Sequence, residues 1–246
     1  MPTDTQARQR HGSGPDIPAH AGGTVTSLFH EALGADFDRL HPMLQRRFGV
    51  GLDAGYACIG RGTMLQIRRG PWWTIPFLRL GKIRNILIPD LGTNVPFTIW
   101  NYPYLDPYGR ETVTFVREYQ VRDQPSRFDA TMVLSGGKVL DYLGTHQHLA
   151  VDLDLSVQPD GSLRLRSGAQ RFYEGPVAFR FPMLFSGRAE LHESYDDAAG
   201  VYRIRLDVRN RVFGFLFGYE GEFTCDFVEA SDAPERLKPR RHERRP

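Results

Sequence analysis

A chain of 246 residues with 41% hydrophobic and 24% charged side chains is long enough to bury a core without disulfide staples. Its net charge of +2 gives no global electrostatic case for nucleic acid or membrane, and its two cysteines, Cys58 and Cys225, neither build a disulfide scaffold nor show metal-ligand spacing. There is no apolar run of about 18 residues to span a bilayer and no secretory signal, so a reducing cytoplasm is the expected compartment.

Residues 1–26 are rich in Gly, Pro, Thr and Gln with few large apolar side chains, which predicts a disordered tail. From Ser27 the text changes. Leu28, Phe29, Ala32 and Leu33 have helical spacing, with Ser27 placed to cap and Gly34 to stop the turn. Pro42 suits the first position of a second short helix carrying Met43, Leu44 and Phe48, with Gly49 after it.

Beyond Gly49 the period becomes that of strands. Tyr56–Ile67 reads as a first strand interrupted by Gly60 and Gly62. The stretch 70–89 is apolar but punctuated by Pro71, Pro76 and Gly81, so it is neither a clean helix nor a clean strand. Further strands follow at Glu111–Val121, Arg127–Leu134, Leu149–Val157, Ser162–Phe172, around Phe179, at Ala189–Tyr195 and at Tyr202–Val208. Pro159-Asp160-Gly161 and the stretch 196–200 are the turns of two hairpins.

The organising stretch is Val212–Val228. Phe213, Phe215, Phe217, Tyr219, Gly221, Phe223, Cys225 and Phe227 alternate with Gly214, Leu216, Gly218, Glu220, Glu222, Thr224 and Asp226. Such a long aromatic ladder with glycines on both faces predicts a bent strand in a strongly curved sheet. The expected fold is mainly β: a curved antiparallel sheet of about eight to ten strands, forming a half-barrel or incomplete barrel with two short N-terminal helices. It occupies residues 27–229 as one β-rich domain, and 230–246 is expected to be a basic, disordered tail.

Several phrases in order resemble the bacterial family known as domain of unknown function 4166. They are Leu28-Phe29…Leu33-Gly34…Phe37…Leu40…Pro42, then Gly60-x-Gly62-x-Met64…Arg69-Gly70. Gly109-Arg110-Glu111, Arg117-x-Tyr119 and the closing Gly214-x-Leu216-x-x-Tyr219-x-Gly221 complete the set. The resemblance spans Ser27 to Val228 and implies one domain that occurs alone or attached to others, some of them saccharopine-dehydrogenase-like oxidoreductases. It implies no activity and no catalytic residue. Many members have an aromatic where this chain has Thr112, and the basic tail is outside the pattern.

Arg117 falls on an apolar strand face between Phe115 and Tyr119, and Glu193 interrupts the face of Ala189, Leu191 and Tyr195 in the same way. Buried charges must be paired, so Arg117 and Glu193, near Tyr219, form either a structural ion pair or a polar cluster that holds the head of an apolar ligand. His146 and His148 share a face by their i, i+2 spacing but lack further ligands, and read as loop histidines at the surface. No nucleophile, base and orienting partner can be assembled, and no metal or cofactor motif is present.

The leading functional expectation is non-enzymatic binding of an apolar or lipid-like molecule in the concavity, lined by Arg117, Tyr119, Glu193, Phe215, Phe217 and Tyr219. Trp72, Trp73, Phe77 and Arg79 interleave tryptophan with long cations, which suits a lid or a peripheral membrane contact. The alternatives are an enzyme, or an accessory domain of an oxidoreductase, acting on a lipid-like substrate, and a protein-interaction module. Nucleic acid is not an expected partner, and the oligomeric state is open.

Overall fold

The structure, a computed structural model, describes residues 26–74, 91–121, 124–180 and 187–246. The expected N-terminal tail and the positions of Phe77 and Arg79 therefore lie outside the described residues.

Helix α1 (Leu28–Leu33) begins where the Ser27 hydroxyl accepts the His30 amide at 3.2 Å, and it ends at Gly34 with φ of 55°. Helix α2 (Pro42–Phe48) has proline at its start, as expected, with the His41 side chain as its cap. Among the described residues the sheet has fourteen strands: β1 (Tyr56–Arg69), β2 (Gly92–Asn101), β3 (Pro103–Leu105), β4 (Glu111–Thr114), β5 (Val116–Val121), β6 (Gln124–Phe128) and β7 (Ala130–Ser135), followed by β8 (Lys138–Leu143), β9 (Leu149–Val157), β10 (Leu163–Glu174), β11 (Val177–Arg180), β12 (Arg188–Asp196), β13 (Val201–Asn210) and β14 (Gly214–Glu229).

All pairings are antiparallel, in the order β3, β4, β7, β8, β9, β10, β12, β13, β14, β1, β2, β5, β6, with β11 on β10. The two ends of this order are the same stretches of chain. Strands β2 and β3, β4 and β5, and β6 and β7 are each one extended run broken at a single residue: Tyr102, Phe115 and Asp129. At these corners the chain leaves one side of the sheet and joins the other, which curls it into a half-barrel. The expected count of eight to ten strands falls short partly because these bends divide long strands. A second reason is β2, where Pro96 obscures an alternation that buries Val95, Phe97 and Ile99.

Strands β1 and β14 are the longest neighbours and also need the closest approach. A Cβ on Gly62 would collide with the carbonyl oxygen of Glu222, so no side chain fits between the strands there.

The helices close one end of the half-barrel. The His41 amide donates to the Gly161 carbonyl at 2.9 Å, the Tyr202 hydroxyl to the Met43 carbonyl at 3.0 Å, and the Ser27 hydroxyl to the Phe48 carbonyl at 2.8 Å. Phe29 packs edge-on against both Phe48 and Phe115, joining the helices to the inner face. The main apolar core runs from these helix residues to Val208 and Phe217 toward the opposite end.

The stretch from Ala230 corrects the expectation of a disordered tail. It runs along the outer face, where a second small core of Val133, Leu140, Tyr142, Ala150 and Tyr173 would otherwise meet water. The Tyr142 and Tyr173 hydroxyls donate to the Arg245 and Pro246 carbonyls at 2.9 and 2.6 Å, and Arg245 lies over the Tyr173 ring. Arg236 covers Trp100, and Leu237 is buried. Its arginines look like a solvated run in the sequence because their partners are outward-facing aromatics and backbone carbonyls contributed by distant strands.

Candidate functional site

Away from the helices, the half-barrel encloses a cavity of about 170 Å³. Its wall is apolar: Met132 and Leu143 from β7 and β8, Leu149, Val151 and Leu153 from β9, Leu165 from β10, Leu191 from β12, Leu206 and Val208 from β13, and Leu216 and Phe217 from β14. Five polar side chains interrupt it: Arg117 of β5, Asp141 of β8, Ser167 and Gln170 of β10, and Tyr219 of β14.

Arg117, Asp141 and Tyr219 are each buried and carry an atom without a hydrogen-bond partner among the described residues: Arg117 Nε, Asp141 Oδ1 and the Tyr219 hydroxyl. The Arg117 guanidinium lies over the Phe128 ring, 5.3 Å from its centre, and Nη1 donates only a long 3.4 Å bond to the Phe115 carbonyl. Burial pushes the Asp141 carboxyl up to about 7, against the opposing pull of the Arg117 charge. The Tyr119 ring stands beside the cavity, 6.1 Å from that of Tyr219, and its hydroxyl is also unpartnered. Burial, with Tyr219 adjacent, raises the Tyr119 pKa and keeps that phenol neutral. Four orphaned polar atoms in and beside one small cavity are unusual, because buried polar groups are normally satisfied.

Glu193 does not join this group. Its carboxylate pairs with Arg47 of α2 in a second polar cluster nearer the helices. Arg47 Nη1 donates to Asn101 Oδ1 at 2.8 Å and lies 3.4 Å from Cys58 Sγ and 3.8 Å from Cys225 Sγ. The guanidinium also sits over the Phe223 ring, 4.8 Å from its centre. The expected cluster of Arg117 with Glu193 is therefore corrected, and with it goes the constellation on which an enzymatic reading rested. Arg47 was legible in principle, because it lies three residues after Leu44 and beside Phe48 on the apolar side of its helix.

The aromatic ladder is half right. Phe217 and Tyr219 face the cavity, but Phe215 does not. Val208 pairs with Phe217 while Arg209 pairs with Phe215, so Leu216 is an extra residue in β14. This bulge shifts the alternation and places the Phe215 ring outside, over Gly218 and between Arg68 and Arg209. Asp141 carries the signal that singled out Arg117: it breaks the apolar face of Val139 and Leu143.

Trp72 lies in a short turn after β1 and is 76% exposed, while Trp73 adjoins it in that turn. The rest of the expected lid falls in 75–90, outside the described residues. His148 corrects the surface reading: it is buried, with Nδ1 2.7 Å from Glu174 Oε2, and His146 stacks on it. Among the described residues, no three His, Cys, Asp or Glu side chains are grouped to hold a metal ion. Among them also, no helix is long and apolar enough to cross a membrane.

A relative in Bacillus subtilis, the uncharacterized protein YndH, is 28% identical over 201 residues, which cover 81% of this chain and 97% of the relative. No solved structure matches the chain. The family model described as "Domain of unknown function (DUF4166)" matches residues 40–223, most of the chain including β1 to β13 and the cavity walls, and the protein belongs to that family.

Proposed function

We propose that the half-barrel binds a small apolar molecule bearing one oxygenated head group. The reading rests on one observation, the convergence of Arg117 Nε, Asp141 Oδ1 and the Tyr219 hydroxyl, all unpartnered, on an apolar cavity. An apolar wall with a few convergent polar groups is the usual composition of a small-molecule site. The volume sets the ligand's size. A cavity of about 150 Å³ accepts benzene, so about 170 Å³ suits a single ring or a short acyl chain rather than a whole lipid. The charges set the head group. Arg117 has no carboxylate within ion-pair distance among the described residues, and Asp141 is substantially protonated at neutral pH, so the pair favours a carboxylate or phenol oxygen over an amine.

The test is calorimetric titration of the protein with benzoate and with octanoate, preceded by native mass spectrometry and solvent extraction of whatever co-purifies. Binding is expected for at least one probe, weakened at least about tenfold by Arg117→Met. It should be abolished by Val151→Phe, which fills the space. The reading is wrong if neither probe binds an empty protein, or if a probe binds Val151→Phe as well as it binds the parent.

A further inference from the structure

We propose that the rim of the half-barrel opposite the helices docks on an anionic lipid surface. The rim is defined by register. Arg188 at the start of β12 pairs with Arg209 near the end of β13, and Arg209 pairs with Phe215 at the start of β14. The Gly70 amide, just after β1, donates to the Leu216 carbonyl at 2.7 Å, which brings Trp72 to the same end. The β13–β14 turn adds Arg211, Val212 and Phe213.

Two independent features coincide there. The first is apolar exposure. Trp72, Val212 and Phe213 are 76%, 60% and 46% exposed, and β11, which pairs with the far end of β10, carries exposed Val177 and Phe179. The second is charge. Arg180, Arg188, Arg209 and Arg211 are exposed, and none pairs with a carboxylate among the described residues, although Arg164 and Arg166 of β10 and Arg203 and Arg205 of β13 all do. Exposed aromatic and aliphatic side chains interleaved with unpaired guanidinium groups match the boundary between acyl chains and anionic head groups. The net charge of the chain hides this, because the excess is local. The docking surface is separate from the cavity lining, and docking does not require the cavity to be filled.

The experiment is flotation of the full chain with vesicles of phosphatidylcholine alone, or containing about one third phosphatidylglycerol. The protein is expected to float with the anionic vesicles and to be released at about 0.5 M salt. Neutralising Arg188, Arg209 and Arg211 together to Gln should lower the partition coefficient about a hundredfold. Val212→Ser with Phe213→Ser should weaken flotation, and because this pair lies in an exposed turn it tests the idea even if the triple variant misfolds. The proposal fails if the parent floats with neither vesicle, or if the arginine and turn variants both float like the parent. It also fails if a duplex oligonucleotide displaces the protein from vesicles at equal phosphate concentration, or if the rim proves buried in a dimer in solution. Benzoate and octanoate titrations read the cavity separately, so loss of one property does not imply loss of the other.

Discussion

Arg47 on α2 and Glu193 on β12 form an ion pair inside the half-barrel, with their side chains only 1% and 2% exposed. Two charges withdrawn this far from water are stable only as a pair, and removing one leaves the other stranded. Burial opposes the Arg47 charge, but Glu193 and the two thiols outweigh it and raise its pKa well above the ordinary value. Glu193→Leu or Arg47→Met alone should each cost about 3–5 kcal/mol of stability. The double variant Arg47→Met with Glu193→Leu should recover most of that loss. Urea denaturation of the four proteins gives the coupling directly. Additive losses would show that the pair is not a unit.

Asp141 predicts a dependence of stability on pH. Its carboxyl stands near 7 in the folded protein, against about 3.9 in an unfolded chain, so folding favours the protonated form. The stability this group contributes is complete below about pH 4 and is lost as pH rises through about 7. A shift of this size corresponds to about 4 kcal/mol between the two limits. Asp141→Asn has no proton to lose, so the parent should weaken relative to the variant between pH 5 and pH 8.5. Urea midpoints at the two pH values check this, and identical pH slopes in both proteins would remove Asp141 as the cause. Octanoate affinity should fall over the same range in the parent, because an ionised Asp141 beside the head group repels a carboxylate.

The curved sheet and the two helices were readable because Ser27, Pro42 and the alternation of strands such as β9 and β13 act locally. The partnership of polar groups was not. Arg117, Asp141, Glu193 and Arg47 each break an apolar face in the same manner, so the sequence flags four buried charges without saying which pairs with which. That assignment depends on the corners at Phe115 and Asp129, which carry Arg117 and Asp141 to the cavity while α2 delivers Arg47 to Glu193. The bulge at Leu216 was hidden for a related reason. An extra residue in one strand is visible only against its partner, here Val208 and Arg209.

That bulge separates two phenylalanines two residues apart. Phe217 is 4% exposed on the cavity wall, whereas Phe215 lies outside between two arginines. Phe217→Ala should cost about 3 kcal/mol and enlarge the cavity, changing its preference toward longer acyl chains. Phe215→Ala should cost under about 1 kcal/mol and leave octanoate binding intact. Thermal denaturation and calorimetry on the two variants decide the matter. Equal effects on binding would mean that both rings face inward and that the register across β13 and β14 is continuous.

Removing residues 231–246 isolates the contribution of the C-terminal stretch. Without it, the Tyr142 and Tyr173 hydroxyls lose acceptors at Arg245 and Pro246, and Gln147 Oε1 loses the Glu243 amide. The outer cluster around Val133, Leu140 and Ala150 becomes exposed to water together with the Trp100 face covered by Arg236. Losing several bonds at about 1 kcal/mol each, together with that apolar cover, should destabilise the shortened protein by at least about 3 kcal/mol. For a chain of this size that is a fall in Tm of about 6–12 °C. The shortened protein should also bind a hydrophobic dye that the full chain does not, because the bared tyrosines and aliphatic side chains form a continuous patch on β8, β9 and β10. An unchanged Tm without dye binding would show that the tail rests on the sheet without stabilising it.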